Sequence, residues 1–175
     1  NYIDTARHKT KFLAVRYGNV LGSSNSVIPK FTEQIQSGKN ITLTDPSMTR
    51  FTITMDQALE LILTAIKKGH GGEVFVPKIP SMRITDLCES IAPSLPHKEI
   101  GIRPGEKIHE IMCPSEYDHL TLEFKDHFVL TPTIKFHQKE NTYQVNAIGE
   151  AGKPVEKGFE YNSGTNPHFL SVEEL

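Results

Sequence analysis

The stretch from Thr54 to Val76 sets the tightest limit on how this chain folds. From about Met55 to Lys68 the apolar residues Met55, Ala58, Leu59, Ile62, Leu63 and Ile66 recur at spacings of three and one, the period of an amphipathic helix. Thr54 is placed to cap its start, and Gly69 to Gly72 end it. Glu73-Val74-Phe75-Val76 then reads as a strand. A helix delivered directly into a short apolar strand is a building unit of layered α/β proteins.

The flanking sequence repeats that alternation. Phe12-Leu13-Ala14-Val15 reads as a buried strand, and Ser23-Ser24-Asn25-Ser26 as a loop ending in a helix N-cap. A helix is predicted from Val27 to Ser37, with Pro29 tolerated in its first turn and Gly38 suited to its C-terminal cap. Ile41-Thr42-Leu43 and Phe51-Thr52-Ile53-Thr54 are strand candidates on either side of an Asp45-Pro46-Ser47 turn. Thr85 is expected to cap a short helix over Asp86 to Ala92, closed by Pro93 and Pro96. Ile108, Ile111 and Met112 suggest a helical stripe, Phe128-Val129-Leu130 a strand, and the residues from about His137 a polar, turn-rich tail. The expected class is α/β with a parallel sheet.

Composition narrows the function classes. Hydrophobic residues are 37%, charged residues 23%, and the formal charge is -2, which offers no basic footprint for nucleic acid. No apolar run approaches a membrane span, and Asn1 to His8 lack the apolar centre of a signal peptide, so no membrane association and a cytoplasmic location are expected. Cys88 and Cys113, with no Cys-x-x-Cys pair, read as buried thiols rather than a disulfide framework or a zinc site. The chain opens on Asn1 and is apolar almost at once, which reads as a piece of something longer.

Several residues could carry chemistry. Arg50 and Arg103 each present a planar fork of donors matched to phosphate oxygens, although spacing alone equally allows two surface or salt-bridging arginines. In Arg103-Pro104-Gly105-Glu106-Lys107 the proline and glycine favour a tight turn, and Glu106 could accept from ribose hydroxyls or simply open a helix. Arg16-Tyr17-Gly18-Asn19-Val20 follows a strand, where open α/β sheets place ligand contacts; an ordinary turn fits it as well. His109-Glu110-Ile111-Met112-Cys113 lacks the second histidine of a zincin helix.

Two patterns are missing from the sequence. No Gly-x-Gly-x-x-Gly or Gly-x-x-Gly-x-x-Gly occurs to bring a pyrophosphate against a helix N-terminus. Nor does any tyrosine have a lysine four residues on: Tyr2, Tyr17, Tyr117, Tyr143 and Tyr161 are followed by Ala6, Leu21, Thr121, Ala147 and Thr165.

Five ordered blocks nevertheless carry a family likeness. Arg16 to Ser23, Ser26 to Phe31, Thr44 to Phe51, Gly71 to Lys78 and Arg103 to Glu110 resemble the polysaccharide-biosynthesis branch of the extended short-chain dehydrogenases, within it the inverting UDP-N-acetylglucosamine 4,6-dehydratases. Glu123 to Phe128 with Pro132-Thr133, and Phe159 to Asn166, look like the inverting subgroup. The resemblance implies the carboxy-terminal part of an NAD(P)-binding Rossmann-like fold plus a small α/β substrate-binding subdomain. Residues 1–26 would end the Rossmann-like domain, 27–136 would bind the UDP-sugar among its last elements, and 137–175 would form a tail.

The implied reaction is NADP-dependent. Hydride leaves C4 of the sugar, water is eliminated across C5 and C6, and hydride returns at C6 with inversion at C5, giving a 4-keto-6-deoxy precursor of pseudaminic acid or related surface glycans. By the same resemblance Tyr17, Gly18, Asn19 and Val20 would lie against NADP, and Asn19 against the substrate. Val27 and Pro29 would lie near the nucleotide, Thr42 and Leu43 beside the uracil, Arg50 and Arg103 on the diphosphate, and Glu106 on ribose. NADP would be bound mainly by an amino-terminal half not in this sequence. No catalytic residue is assigned here, and a homo-oligomer is implied for the full-length protein. A UDP-sugar 4-epimerase or reductase fragment, and a non-catalytic nucleotide-sugar-binding module, are the alternatives.

Overall fold

A computed structural model describes residues 10–23, 27–93, 95–133 and 143–175. In chain order the strands are β1 (Ala14–Val15), β2 (Asn19–Val20), β3 (Ile41–Leu43), β4 (Thr49–Ile53), β5 (Val74–Pro77), β6 (Ser81–Arg83), β7 (His97–Glu99), β8 (Ile111–Cys113), β9 (Thr121–Glu123), β10 (His127–Leu130), β11 (Lys153–Pro154) and β12 (Tyr161–Asn162). The α-helices are α1 (Val27–Gln36), α2 (Met55–Lys68) and α3 (Ile84–Ile91). The chain is thus of mixed α/β class. It folds as two compact units interleaved along the sequence. One lies within Asn1–Tyr17, Asp56–Lys78 and Met112–Tyr161, the other within Gly18–Met55, Ile79–Ile111 and Asn162–Leu175.

The first unit is built on a five-stranded sheet of order β1-β5-β10-β9-β11. Only β1 and β5 run parallel, with Ala14 opposite Val74; β5–β10, β10–β9 and β9–β11 are antiparallel. The expected parallel sheet is therefore a mixed one. The reason is the short connection between Glu123 and His127, which can join only antiparallel neighbours, since a parallel crossover needs a dozen or more residues. β1 is also less buried than its apolar run suggests: Leu13 and Val15 pack on the core, while Phe12 stays 46% exposed.

Helix α2 has the predicted bounds but not the predicted buried face. Ala58, Leu61 and Ala65 are buried, and Leu61 and Ala65 join Phe75, Leu122 and Val129 in the core, whereas Leu59, Leu63 and Ile66 are exposed. The apolar stripe is wider than the surface this unit offers it. Leu61 and Ala65 alone of its apolar residues join the sheet's core cluster, and Leu59, Leu63 and Ile66 stay outside. No helix among the described residues is long and apolar enough to cross a membrane.

His127 is the most constrained polar group of the first unit. It is 2% exposed, stacked between Phe75 and Phe124 at 5.3 and 4.9 Å, with Nδ1 2.5 Å from Asp126 Oδ1. Nε2 has no partner among the described residues. Burial pushes its pKa below 6.5 against the opposing pull of Asp126. A base whose folded pKa is depressed contributes its full share to stability above its unfolded pKa. That share is lost as pH falls from 6.5 through the depressed value. Unfolding free energy is expected to decline over that window by up to ~1.4 kcal/mol per pH unit, and His127→Phe to flatten the slope. A parallel slope in the variant, measured by denaturant titration across pH, would exclude His127 as its source.

The second unit holds the three-stranded sheet β2-β4-β6 and the parallel pair β3–β7. Its core gathers Phe31, Ile41, Leu43, Met48, Met82, Leu87 and Cys88. Helix α1 has its predicted bounds to within a residue, with Gly38 at φ 65 just beyond its end. The proposed Ser26 cap lies outside the described residues. Thr85 is not the cap of α3, which starts at Ile84 with Arg83 at the N-cap and no side-chain cap bond. The helical stripe expected through Ile111 and Met112 is instead strand β8. Pro114 follows directly and disfavours the helical conformation in the residue before it. The sequence reading also missed β6, β7 and β9, each of three residues and too short to show a period.

Candidate functional site

The register of the three-stranded sheet assembles a cavity from residues far apart in sequence. β2 pairs β4 in parallel with Asn19 opposite Thr52, and β6 pairs β4 antiparallel with Met82 opposite Arg50. Arg50 and Thr52 are two residues apart and share a face, so Asn19, Arg50 and Met82 come to one side of the sheet. All three line a cavity of about 380 Å³. The same alternation sorts the predicted uracil neighbours. In β3, Ile41 and Leu43 face the core at 0% and 3% exposure, and Thr42 between them lines the cavity.

Of the residues singled out from sequence, Asn19, Val20, Val27, Thr42, Arg50 and Glu106 line this cavity. Tyr17, Gly18, Pro29, Leu43 and Arg103 do not. Pro29 and Arg103 are exposed, Leu43 belongs to the core, and Gly18 sits directly against Phe51. The sequence reading missed Leu21, Ser23, Ile28, Lys30, Phe31, Thr44, Met48, Met82 and Ile84, all of which line the cavity. Helical spacing from Val27 was the available signal for Lys30 and Phe31; nothing local marked Met82 or Ile84.

Thr42 and Arg50 are held by their neighbours. Gln34, on α1, donates through Nε2 to Thr42 Oγ1 at 2.9 Å and accepts the Thr42 N–H at 3.2 Å, which ties α1 to β3. Arg50 donates through Nη1 to the carbonyls of Thr49 and Ile108 at 2.7 and 3.0 Å, and its Nε is 3.9 Å from Glu110 Oε1. Glu110 accepts the Phe51 N–H at 3.0 Å. Burial nonetheless raises its pKa above the ordinary glutamate value, against the lowering effects of that bond and of Arg50.

The predicted turn forms at Arg103. The Glu106 N–H donates to Arg103 O at 3.0 Å, and Glu106 Oε2 accepts the Arg103 N–H at 3.1 Å. Gly105 has φ 87, the left-handed value required at the third position of a type II turn that places proline second. The turn therefore delivers the Glu106 carboxylate to the cavity and leaves the Arg103 side chain exposed.

His109 is tied into a hydrogen-bonded chain of side chains. Its Nδ1 is 2.8 Å from Thr49 Oγ1, which is 2.7 Å from the fully buried Ser163 Oγ. Ser163 Oγ also accepts the Glu110 N–H at 2.8 Å and so anchors the carboxy-terminal segment to β4. Among the described residues no group of three His, Cys, Asp or Glu is placed to hold a metal ion. Cys88 and Cys113 are buried free thiols whose pKa values burial raises to about 12, which keeps both unreactive.

The comparisons with known proteins agree on one family. The family profile described as polysaccharide biosynthesis protein matches residues 2–132. The chain is 49% identical over 168 residues, 95% of its length and 50% of the relative's, to a UDP-N-acetylglucosamine 4,6-dehydratase (inverting) of Campylobacter jejuni. It is 42% identical over 114 residues, 63% of its length and 33% of the relative's, to a UDP-glucose 4-epimerase of Rickettsia bellii. Among solved structures, Pen from Bacillus thuringiensis superposes with a TM-score of 0.79 at 34% identity, covering 98% of this chain and 50% of that one. The chain thus spans about half the length of the curated dehydratases it matches. On the profile match and the near full-length identity to its relatives, this chain belongs to the polysaccharide biosynthesis protein family.

Proposed function

We propose that this chain is the UDP-sugar-binding portion of an enzyme that dehydrates UDP-N-acetylglucosamine across C5 and C6 with inversion at C5, yielding a 4-keto-6-deoxy sugar nucleotide for surface-glycan synthesis such as that of pseudaminic acid. The observation that carries the proposal is the 49% identity across 95% of the chain to an inverting dehydratase. The second unit's cavity supports it. An apolar floor of Val27, Phe31, Met48, Met82 and Ile84 suits a flat base, and a few convergent polar groups suit the charged and hydroxylated parts of a nucleotide. Thr42 would flank the uracil, Arg50 would face the diphosphate and Glu106 would accept from ribose hydroxyls.

A dinucleotide cofactor has no phosphate cradle among these residues. No closely spaced glycine motif occurs, and Gly18 is filled against Phe51 rather than open to a ligand. NADP would meet this chain around Tyr17 to Val20, and no step of the reaction is assigned to it here. What the chain itself supplies is binding and orientation, which shapes catalysis through position rather than proton transfer.

The test uses the full-length protein with UDP-N-acetylglucosamine and NADP. Loss of one water from the sugar, a ketone at C4 and inverted C5 by NMR are expected. Conversion to the C4 epimer at unchanged mass would establish the epimerase reading, which the Rickettsia likeness favours. Firm UDP binding with no turnover would instead mark a binding module.

A further inference from the structure

We infer that Lys30 is a phosphate-engaging cation of the second unit's cavity, acting beside Arg50 and ahead of Arg103; this rests on the nucleotide-sugar reading above. Lys30 lies in the first turn of α1, is exposed, and lines the cavity. Among the described residues its ammonium group makes no hydrogen bond or ion pair, whereas Lys68 and Lys78 are both paired.

Its place in the helix is electrostatically unfavourable without an anion. The first turn of α1 contains no acidic residue, so Lys30 stands near the positive end of the helix without a carboxylate in that turn. Among the described residues the lining carries one carboxylate, Glu106, and two cations, Lys30 and Arg50, of which Arg50 already lies 3.9 Å from Glu110 Oε1. Lys30 is therefore the lining cation without an ion-pair partner among the described residues, and a bound anion would supply its counter-charge.

Arg50 alone is poorly placed to hold such an anion. Its Nη1 donates to the carbonyls of Thr49 and Ile108, its Nη2 lies 3.7 Å from Met48 Sδ and its Nε 3.9 Å from Glu110 Oε1, so each nitrogen of the fork already has a protein neighbour. Arg103 is exposed and outside the lining. A diphosphate carries charge on two phosphorus centres and calls for a second cation. A lysine on a flexible stem supplies a mobile point charge to complement Arg50's fixed one.

Titration of the full-length protein with UDP and with uridine tests this. Lys30→Gln is expected to weaken UDP binding on the order of tenfold, the scale of a charge-assisted hydrogen bond, to leave uridine binding unchanged, and to make UDP affinity less salt-dependent. Lys30→Arg should retain UDP affinity, and Arg103→Gln should cost less than Lys30→Gln. An unchanged Kd for UDP in Lys30→Gln, or an equal loss for uridine, would overturn the assignment. A wild-type protein that binds uridine and UDP equally would overturn it too, and one that binds neither would overturn the nucleotide-sugar reading itself.

Discussion

Gly18→Ala is expected to lower unfolding free energy by about 3 kcal/mol or more, the upper end of overpacking costs. A Cβ at this position would lie 2.5 Å from Phe51 Cβ and 2.7 Å from its carbonyl carbon, with the carbonyl oxygen nearer still. None of these atoms is the free end of a flexible side chain. Phe51 is fully buried in the middle of β4, which is held on one side by the pairing of Asn19 with Thr52 and on the other by that of Phe51 with Ser81. The methyl can be accommodated only by moving β2 away from β4. Because β2 carries Asn19 into the cavity, UDP affinity should fall with stability. Gly22→Ala is the control. Gly22 has φ 75 but open space around it, so the substitution should cost only the left-handed backbone penalty of about 1–2 kcal/mol. Equal midpoints for the two variants in urea would show that β2 yields readily.

This contrast also shows what the sequence could reveal. Helices α1 and α2 were legible because their period is written within a dozen residues and their ends are marked by Gly38 and Gly69. The turn at Arg103 was legible because proline and glycine each permit few conformations. What stayed hidden depends on partners distant in the chain. Which face of α2 is buried is decided by where a sheet drawn from β5, β9 and β10 presents its surface. Gly18 looks like any turn glycine until β4 is brought against it. Six of the residues put forward as ligand contacts converge on one cavity, and the pairing of β2, β4 and β6 accounts for Asn19 and Arg50 among them. Thr42 and Leu43 both came from the family resemblance, and their adjacency in a strand puts their side chains on opposite faces, Thr42 on the cavity and Leu43 in the core. Lys30 was passed over because an unpartnered lysine on a helix is unremarkable in sequence. Only the cavity beside it and the missing counter-charge give it meaning.

Substitution of Arg50 should be the most damaging single change to ligand binding. Arg50→Lys and Arg50→Met are both expected to weaken UDP binding by ~1.5–3 kcal/mol, or roughly 10- to 150-fold. Lysine should not rescue, because one ammonium cannot hold the Thr49 and Ile108 carbonyls and reach a phosphate at once, as the planar fork can. The Met variant carries a second, pH-dependent signature. Glu110 already has a raised pKa through burial, and Arg50 is one of the groups restraining it. An acid whose folded pKa is raised favours the fold fully below its unfolded value, and that contribution is lost as pH rises through the folded value. Removing Arg50 raises the Glu110 pKa further, so the ionised carboxylate at neutral pH is penalised more. Arg50→Met should therefore be distinctly less destabilising near pH 4.5 than near pH 7.5, and adding Glu110→Gln should erase the difference while leaving UDP binding weak. If Arg50→Met lost the same stability at both pH values, its coupling to Glu110 would be negligible. If Arg50→Lys bound UDP like the wild type, the fork geometry would be irrelevant and simple charge would suffice.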